Sequence, residues 1–194
     1  MTRRRWIVLG CLTAGLAGLI PVLPSTHLRN FRTVRRGVLY RSGQLTPTGL
    51  DLVLRVYKIR TVVTLRTVRD PGRPYPDAWE EQACAARGAR HVRILPRPWL
   101  PDETGEPPAA EAVAEFLRVM DDPANHPVLV HCYAGIHRTG TLAAVYRVEY
   151  EGWDADAAIA ELEQGGYQPG PARTAIDAFI QGHRRRTARG DVTE

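Results

Sequence analysis

The chain has 194 residues, enough for one domain with a proper core plus an appendage. At 44% hydrophobic and 24% charged residues its composition is that of an ordinary globular protein. The net charge is +5, but Arg3, Arg4 and Arg5 precede the first apolar run and every acid follows it; the rest sets 23 Lys+Arg (26 less these three) against 21 Asp+Glu, too mild a balance for a nucleic-acid partner. The three cysteines, Cys11, Cys84 and Cys132, form no even set at short spacing, which excludes a disulfide framework and a zinc site.

The predicted elements follow in chain order. Residues 1–26 read as a signal or transmembrane segment, 27–186 as one catalytic-sized domain and 187–194 as a polar tail. Three arginines precede Trp6 to Leu23, eighteen residues without a charge, just long enough to cross a bilayer as a helix. The run is long for a signal-peptide core and lacks a small-x-small cleavage site, so an uncleaved single-pass anchor ranks first and a cleaved export signal second. A soluble helix ranks third, because Gly10, Gly15, Gly18 and Pro21 make a poor one. Arg3 to Arg5 favour an inside N-terminus, with the domain extracytoplasmic; Arg29, Arg32, Arg35 and Arg36 argue the reverse.

Phe31 to Val34, a turn at Arg35-Arg36-Gly37, and Val38 to Arg41 read as strand, turn, strand. Thr46-Pro47 starts a helix: a capping hydroxyl, then proline at the first helical position. Leu50, Val53, Leu54 and Tyr57 give it one buried face. Thr61 to Leu65 is a short buried strand, Asp77 to Arg87 a helix and His91 to Leu95 a strand. Cys84 falls in that helix as a small core residue, with a redox partner for Cys132 ranked well below that reading. Pro96 to Pro108 is a proline-rich loop of a length often functional. Val113, Phe116, Leu117 and Met120 mark an amphipathic helix ending at Asp121-Asp122-Pro123. Pro127 to Val130 is an apolar strand, Thr141 to Tyr150 a packed helix closed by Gly152. Asp154 caps a helix carrying Ile159 and Leu162, Thr174 to about His183 is the last helix, and Arg184 onward is polar and frayed. Strands alternating with helices predict an α/β fold: a central, mostly parallel sheet with helices on both faces, and a ligand at the carboxyl ends of its strands.

The chemistry concentrates between the last strand and its helix, in His131-Cys132-Tyr133-Ala134-Gly135-Ile136-His137-Arg138-Thr139-Gly140. A loop from strand to helix N-terminus gathers backbone N–H groups into a nest, and the helix dipole adds positive potential. Arg138 supplies a planar fork for two oxygens of one phosphate. Cys132 in the same field is favoured as thiolate, a nucleophile facing a bound electrophile. Gly135 lets the backbone turn and approach the anion closely. Positive charge in the cup removes the need for a metal or cofactor.

This run resembles the HCxxGxxR[ST] signature of the cysteine-dependent protein tyrosine and dual-specificity phosphatases. His131, Cys132, Gly135, Arg138 and Thr139 match it. The wider context looks most like the compact atypical dual-specificity group, as do Tyr40-Arg41-Ser42-Gly43-Gln44 and Thr64-Leu65-Arg66 upstream. The resemblance implies the same α/β fold and hydrolysis of phosphate monoesters, on phosphorylated protein or a small phosphate ester, through a cysteinyl-phosphate. It implies a phosphate-binding loop of Tyr133, Ala134, Gly135, Ile136, His137 and Arg138, with His131 orienting the loop and Thr139 donating to the sulfur. It further implies a general acid on a loop about thirty residues before the cysteine. Asp102, Glu103 and Glu106 lie there; Asp102 in Trp99-Leu100-Pro101-Asp102 is the first choice and Glu103 the alternative. His137 is read as shaping the pocket wall. Group members acting on inositol pyrophosphates carry basic residues where this chain has Tyr133, Ala134 and Ile136, which favours a simpler monoester such as phosphotyrosine. Arg41 and Arg66 are read first as bridging salt pairs at the domain base, with assistance to the pocket as the second reading. Two other readings are kept: a rhodanese-like sulfurtransferase, which the Cys-x5-Arg-Thr-Gly spacing opposes, and a weakly active membrane-tethered phosphate-binding module, which intact Cys132 and Arg138 oppose.

Overall fold

The computed structural model describes residues 27–67, 72–94, 109–168 and 171–186. The apolar N-terminal run, the proline-rich loop with Asp102, Glu103 and Glu106, and the tail 187–194 lie outside these residues. Among the described residues no helix is long and apolar enough to cross a membrane.

Five strands form one mixed sheet: β1 (Arg32–Arg35), β2 (Leu39–Ser42), β3 (Thr61–Thr64), β4 (Arg90–Arg93) and β5 (Val128–His131). The spatial order is β1-β2-β5-β3-β4. Only β1 and β2 pair antiparallel; β2–β5, β5–β3 and β3–β4 are parallel. Strand β5 is therefore central, and its residues Val128 to His131 are all buried. A central parallel strand covered on both faces needs such an unbroken apolar run. Its register sets His131 between Ser42 of β2 and Thr64 of β3. Cys132 thus leaves the sheet at its middle, at the carboxyl edge.

Six helices complete the described chain: α1 (Pro47–Val56), α2 (Ala78–Ala85), α3 (Ala109–Met120), α4 (His137–Glu151), α5 (Ala155–Gln164) and α6 (Pro171–Gly182). They divide between the sheet faces according to the pleat, since successive side chains of a strand point to opposite sides. Tyr40, Val62 and Leu129 pack with Leu50, Val53, Leu54 and Cys84 of α1 and α2. Leu39, Val63, Val128 and Val130 pack with Phe116 and Met120 of α3 and Leu142 and Tyr146 of α4. A third cluster joins α4 to α5 and α6 through Ala144, Ile159, Leu162, Ile176 and Ile180.

Local signals explain the helix ends. Thr46 accepts from the Gly49 N–H at 3.1 Å, with Pro47 following it. Asp154 accepts from Asp156 N–H at 2.9 Å, and Gly152 closes α4 at φ +68°. Three expectations change. Helix α4 begins at His137, not Thr141, because the chain turns within five residues and the Gly140 N–H already bonds Ile136 O at 3.0 Å. Helix α6 begins at Pro171, a proline at the first helical position. The chain beyond Gly182 is not frayed through residue 186. Buried Glu149 of α4 needs hydrogen-bonding partners, and His183 Nε2 (3.0 Å) and the Arg186 Nε (2.7 Å) supply them.

Candidate active site

The loop Cys132–Ile136 has no regular structure of its own, so its shape is set by what holds its carbonyls. Three neighbours do so. The Gln44 N–H donates to Tyr133 O at 3.0 Å. The Asn30 Nδ2 donates to Ala134 O at 2.8 Å. The Arg41 Nη2 donates to Gly135 O at 2.9 Å. The peptide units here are trans, so each N–H points opposite its carbonyl. Carbonyls tied outward leave the N–H groups of Ala134, Gly135 and Ile136 directed inward. The Gly135 N–H shows this: it donates to Cys132 Sγ at 3.2 Å. The described lining of the resulting cup is Arg66, Thr67, Cys132, Tyr133, Ala134, His137 and Arg138, around about 400 Å³.

The first turn of α4 contains Arg138 and no acid. A cation at the positive end of a helix is locally unfavourable. That conflict marks a site built for an anion, where local rules yield to function. The Arg138 Nη1 donates to Leu65 O at 3.0 Å, which fixes the guanidinium against the end of β3. Burial presses its pKa below the ordinary value; the Cys132 sulfur opposes this and Arg66 adds to it. At the rim, Tyr133 is 57% exposed. Its ring meets two guanidiniums, Arg29 at 4.3 Å and Arg66 at 4.9 Å. His137 lines the cup and meets Tyr167 edge-on at 5.2 Å. Ile136 turns away and packs against the α4–α5–α6 cluster.

In this structure the group donating to the sulfur is the Gly135 N–H, and the Thr139 hydroxyl is buried with no hydrogen-bond partner among the described residues. Arg41 and Arg66 belong to the site rather than to the base. Strand β5 lies between β2 and β3, so Arg41 of β2 reaches the loop from one side and Arg66, just after β3, from the other. The close approach of Gly135 is also to protein: its backbone runs against Ser42 and Gly43.

Behind the cup lies a buried polar network that sequence reasoning missed. His131 Nε2 is 2.9 Å from Glu80 Oε2, and its Nδ1 is 3.4 Å from Cys132 O. The Gln44 Nε2 donates to the other Glu80 oxygen at 2.6 Å. Desolvation opposes ionisation of Glu80, but bonds from His131, His91 and Gln44 outweigh it and hold its pKa down to about 2. Asp77 bonds Thr64 Oγ1 and pairs with Arg93 at 2.9 Å. Asp77, Glu80 and His91 bring ligand-type atoms within 4.8 Å of one another. Arg93 already neutralises Asp77, and two N–H donors occupy Glu80, so the cluster is a hydrogen-bonded network. The available signal was spacing: Glu80 is four residues from Cys84, on the buried stripe of α2. Cys84 packs on the α1–α2 face and Cys132 on the α3–α4 face. Burial and Glu80 push the Cys84 thiol up to about 12.

A cysteine in an N–H-lined cup, at the carboxyl end of a parallel strand and under a helix N-terminus, defines a class of oxyanion-binding α/β domain. A family model described as a DSP-PTPase phosphatase fused to NAD+ kinase matches residues 16–179, and the chain belongs to that family, within the cysteine-dependent dual-specificity phosphatase superfamily. It is 31% identical over 144 residues to the dual specificity protein phosphatase TpbA of Pseudomonas aeruginosa, covering 74% of this chain and 58% of that protein. It is 35% identical over 137 residues to the rice inositol diphosphatase DSP1, covering 69% of this chain and 53% of that protein. The chain thus spans little more than half the length of these curated relatives. The crystal structure of P. aeruginosa TpbA superposes with a TM-score of 0.59 at 27% identity, over 80% of this chain and 85% of that one. The core catalytic domain of the PP-IP phosphatase SIW14 from S. cerevisiae shares the fold, with a TM-score of 0.63 at 21% identity over 81% and 87% of the two chains.

Proposed function

We propose that the chain hydrolyses phosphate monoesters, as a tyrosine or dual-specificity phosphatase, through a cysteinyl-phosphate intermediate. One observation carries the reading: the Cys132 sulfur sits in a cup of inward N–H groups with Arg138 on its wall. The Cys132 thiolate attacks phosphorus in line; the S–P bond forms as the ester P–O bond breaks. The inward N–H groups and Arg138 hold the equatorial oxygens, where charge spreads in the transition state. The leaving oxygen takes a proton from Asp102, or alternatively Glu103. That carboxylate then removes a proton from the attacking water, the S–P bond breaks, and inorganic phosphate leaves with the thiolate regenerated. The buried Thr139 hydroxyl, one residue beyond Arg138, is assigned to the departing sulfur, and His131 to orienting the loop.

The test is turnover of a series of aryl phosphates. Cys132→Ser abolishes it while substrate still binds. Asp102→Ala slows poor leaving groups far more than good ones; the same pattern in Glu103→Ala alone moves the role to Glu103. Thiosulfate turnover without ester hydrolysis favours the sulfurtransferase, and tight phosphopeptide binding without turnover the tethered binding module. Family membership counts against both.

The phosphoprotein reading draws on the likeness to TpbA and on the absence of lysine at Tyr133, Ala134 and Ile136. A more anionic ester draws on Arg29 and Arg66 at the rim, and on the likeness to a protein named an inositol diphosphatase. A panel of phosphotyrosine, phosphoserine, phosphoinositide and inositol phosphate separates them. For location, the arginines before residues 6–23 support a membrane anchor with an extracytoplasmic domain, with export after cleavage as the alternative. Cell fractionation decides it: an uncleaved, fully soluble product removes the anchor.

A further inference from the structure

We propose that Glu80 is a positioning residue for the cysteine loop, gripping both of its flanks from α2. The inference rests on the phosphatase reading and deepens it. Its basis is the connectivity. One carboxylate oxygen accepts from His131 Nε2 at 2.9 Å, and His131 is the residue before Cys132. The other accepts from Gln44 Nε2 at 2.6 Å, and the backbone N–H of Gln44 holds Tyr133 O, the residue after Cys132. The two grips lie on opposite sides of the nucleophile. Glu80 itself is only 1% exposed.

A buried carboxylate is poor evidence of stabilisation, since an apolar side chain of similar volume often serves as well. A second buried acid, Asp77, begins the same segment. What an apolar residue lacks is two acceptors aimed in two directions. The Glu80 carboxylate accepts, so His131 Nε2 carries a proton and the ring orientation is fixed. His131 Nδ1 lies 3.4 Å from Cys132 O, so the ring sits against the backbone of the residue that carries the nucleophile. Displacing a nucleophile by a fraction of an ångström lowers the rate of the chemical step with little effect on ground-state binding.

Of the three outer braces on the loop carbonyls, those from Asn30 and Arg41 do not involve Glu80, and only the Gln44 brace is tied to it. Loss of Glu80 therefore disturbs the sulfur more than the oxyanion cup, and that difference is measurable. Glu80→Gln keeps the shape, but its amide N–H faces a donor. On p-nitrophenyl phosphate it lowers kcat about tenfold or more, while KM and inhibition by inorganic phosphate stay within about threefold. Glu81→Gln, on the exposed side of the same helix, leaves both unchanged.

A kcat within about threefold of wild type in folded Glu80→Gln overturns the inference and leaves the phosphatase reading standing. An inactive wild type overturns that reading itself. Should Glu80→Gln not fold, half-buried Gln44→Ala carries the test by removing one grip: a kcat lowered about threefold with phosphate inhibition intact supports the role, and an unchanged kcat overturns it. The wild type offers an independent readout. A 15N-histidine correlation at neutral pH shows a slowly exchanging His131 Nε2 proton far downfield, and its absence overturns the inference as well.

Discussion

Gly135 carries the tightest steric constraint in the loop. Its φ is +75°, in the region L side chains rarely adopt, and a Cβ there would lie 2.3 Å from Gly43 N and 2.4 Å from the Ser42 carbonyl carbon. Both are backbone atoms of the chain leaving β2, held by its pairing with β5, and neither can yield. The same residue supplies the N–H on the sulfur and the carbonyl that Arg41 grips. Gly135→Ala thus disturbs the nucleophile, one inward amide and one outer brace at once. The strained φ alone costs about 1–3 kcal/mol. Turnover is expected to fall about a hundredfold or more, beyond what loss of a single oxyanion donor entails. Urea denaturation and aryl phosphate kinetics measure the two effects; turnover within about tenfold of wild type would show that the loop tolerates a shifted Gly135.

At the scale of elements, what the sequence made legible followed from short-range chemistry. Thr46-Pro47 announced α1, and Leu50, Val53, Leu54 and Tyr57 gave its inward stripe. Val113, Phe116, Leu117 and Met120 did the same for α3, and all four are buried. The cysteine loop was legible because it lies between an apolar strand and a helix within one stretch of chain. Strand order was not legible: nothing local in Val128 to Val130 says that β5 inserts between β2 and β3. Yet that insertion makes Arg41, Gln44, Arg66 and Asn30 neighbours of the loop, across sequence separations of 67 (Arg66 to Tyr133) to 104 (Asn30 to Ala134). Residues on separate elements look like surface charges until the sheet brings them together. Arg41 and Arg66 were assigned to the domain base for that reason, and Glu80 was passed over as one acid in a helix rich in them. The Gly135 N–H contact to the sulfur was not legible either, because it depends on how the loop closes rather than on residue type.

Across the described residues the sheet separates two apolar cores, and several carboxylates are paired with arginines. Arg147 meets Glu161 at 2.7 Å and Glu151 at 2.5 Å, Arg186 meets Glu149 at 2.7 Å, and Arg93 meets Asp77 at 2.9 Å. Such pairing makes the fold sensitive to acid, because each paired carboxylate must be protonated on unfolding at low pH. Glu80 should dominate. Its folded pKa of about 2 lies below its ordinary 4.5. A depressed carboxylate pKa gives stability that is fully present above about pH 4.5 and lost as pH falls from there towards 2. Glu149, held down by Arg186 and His183 against the desolvation that opposes them, acts in the same direction. The groups facing Glu80 are His131 on β5, His91 on β4, Gln44 after β2 and Asp77 before α2, and none replaces its charge once it is protonated. Urea unfolding at several pH values between about 2.5 and 7 should show a plateau above pH 5 and a steep acid limb below it. In Glu80→Gln the plateau drops, and the limb loses the slope of up to one proton, about 1.4 kcal/mol per pH unit. An acid limb of equal slope in the two proteins would mean that Glu80 ionises in the folded state as it does in the unfolded chain, and the network behind the cysteine would then lend its charge no net stabilisation.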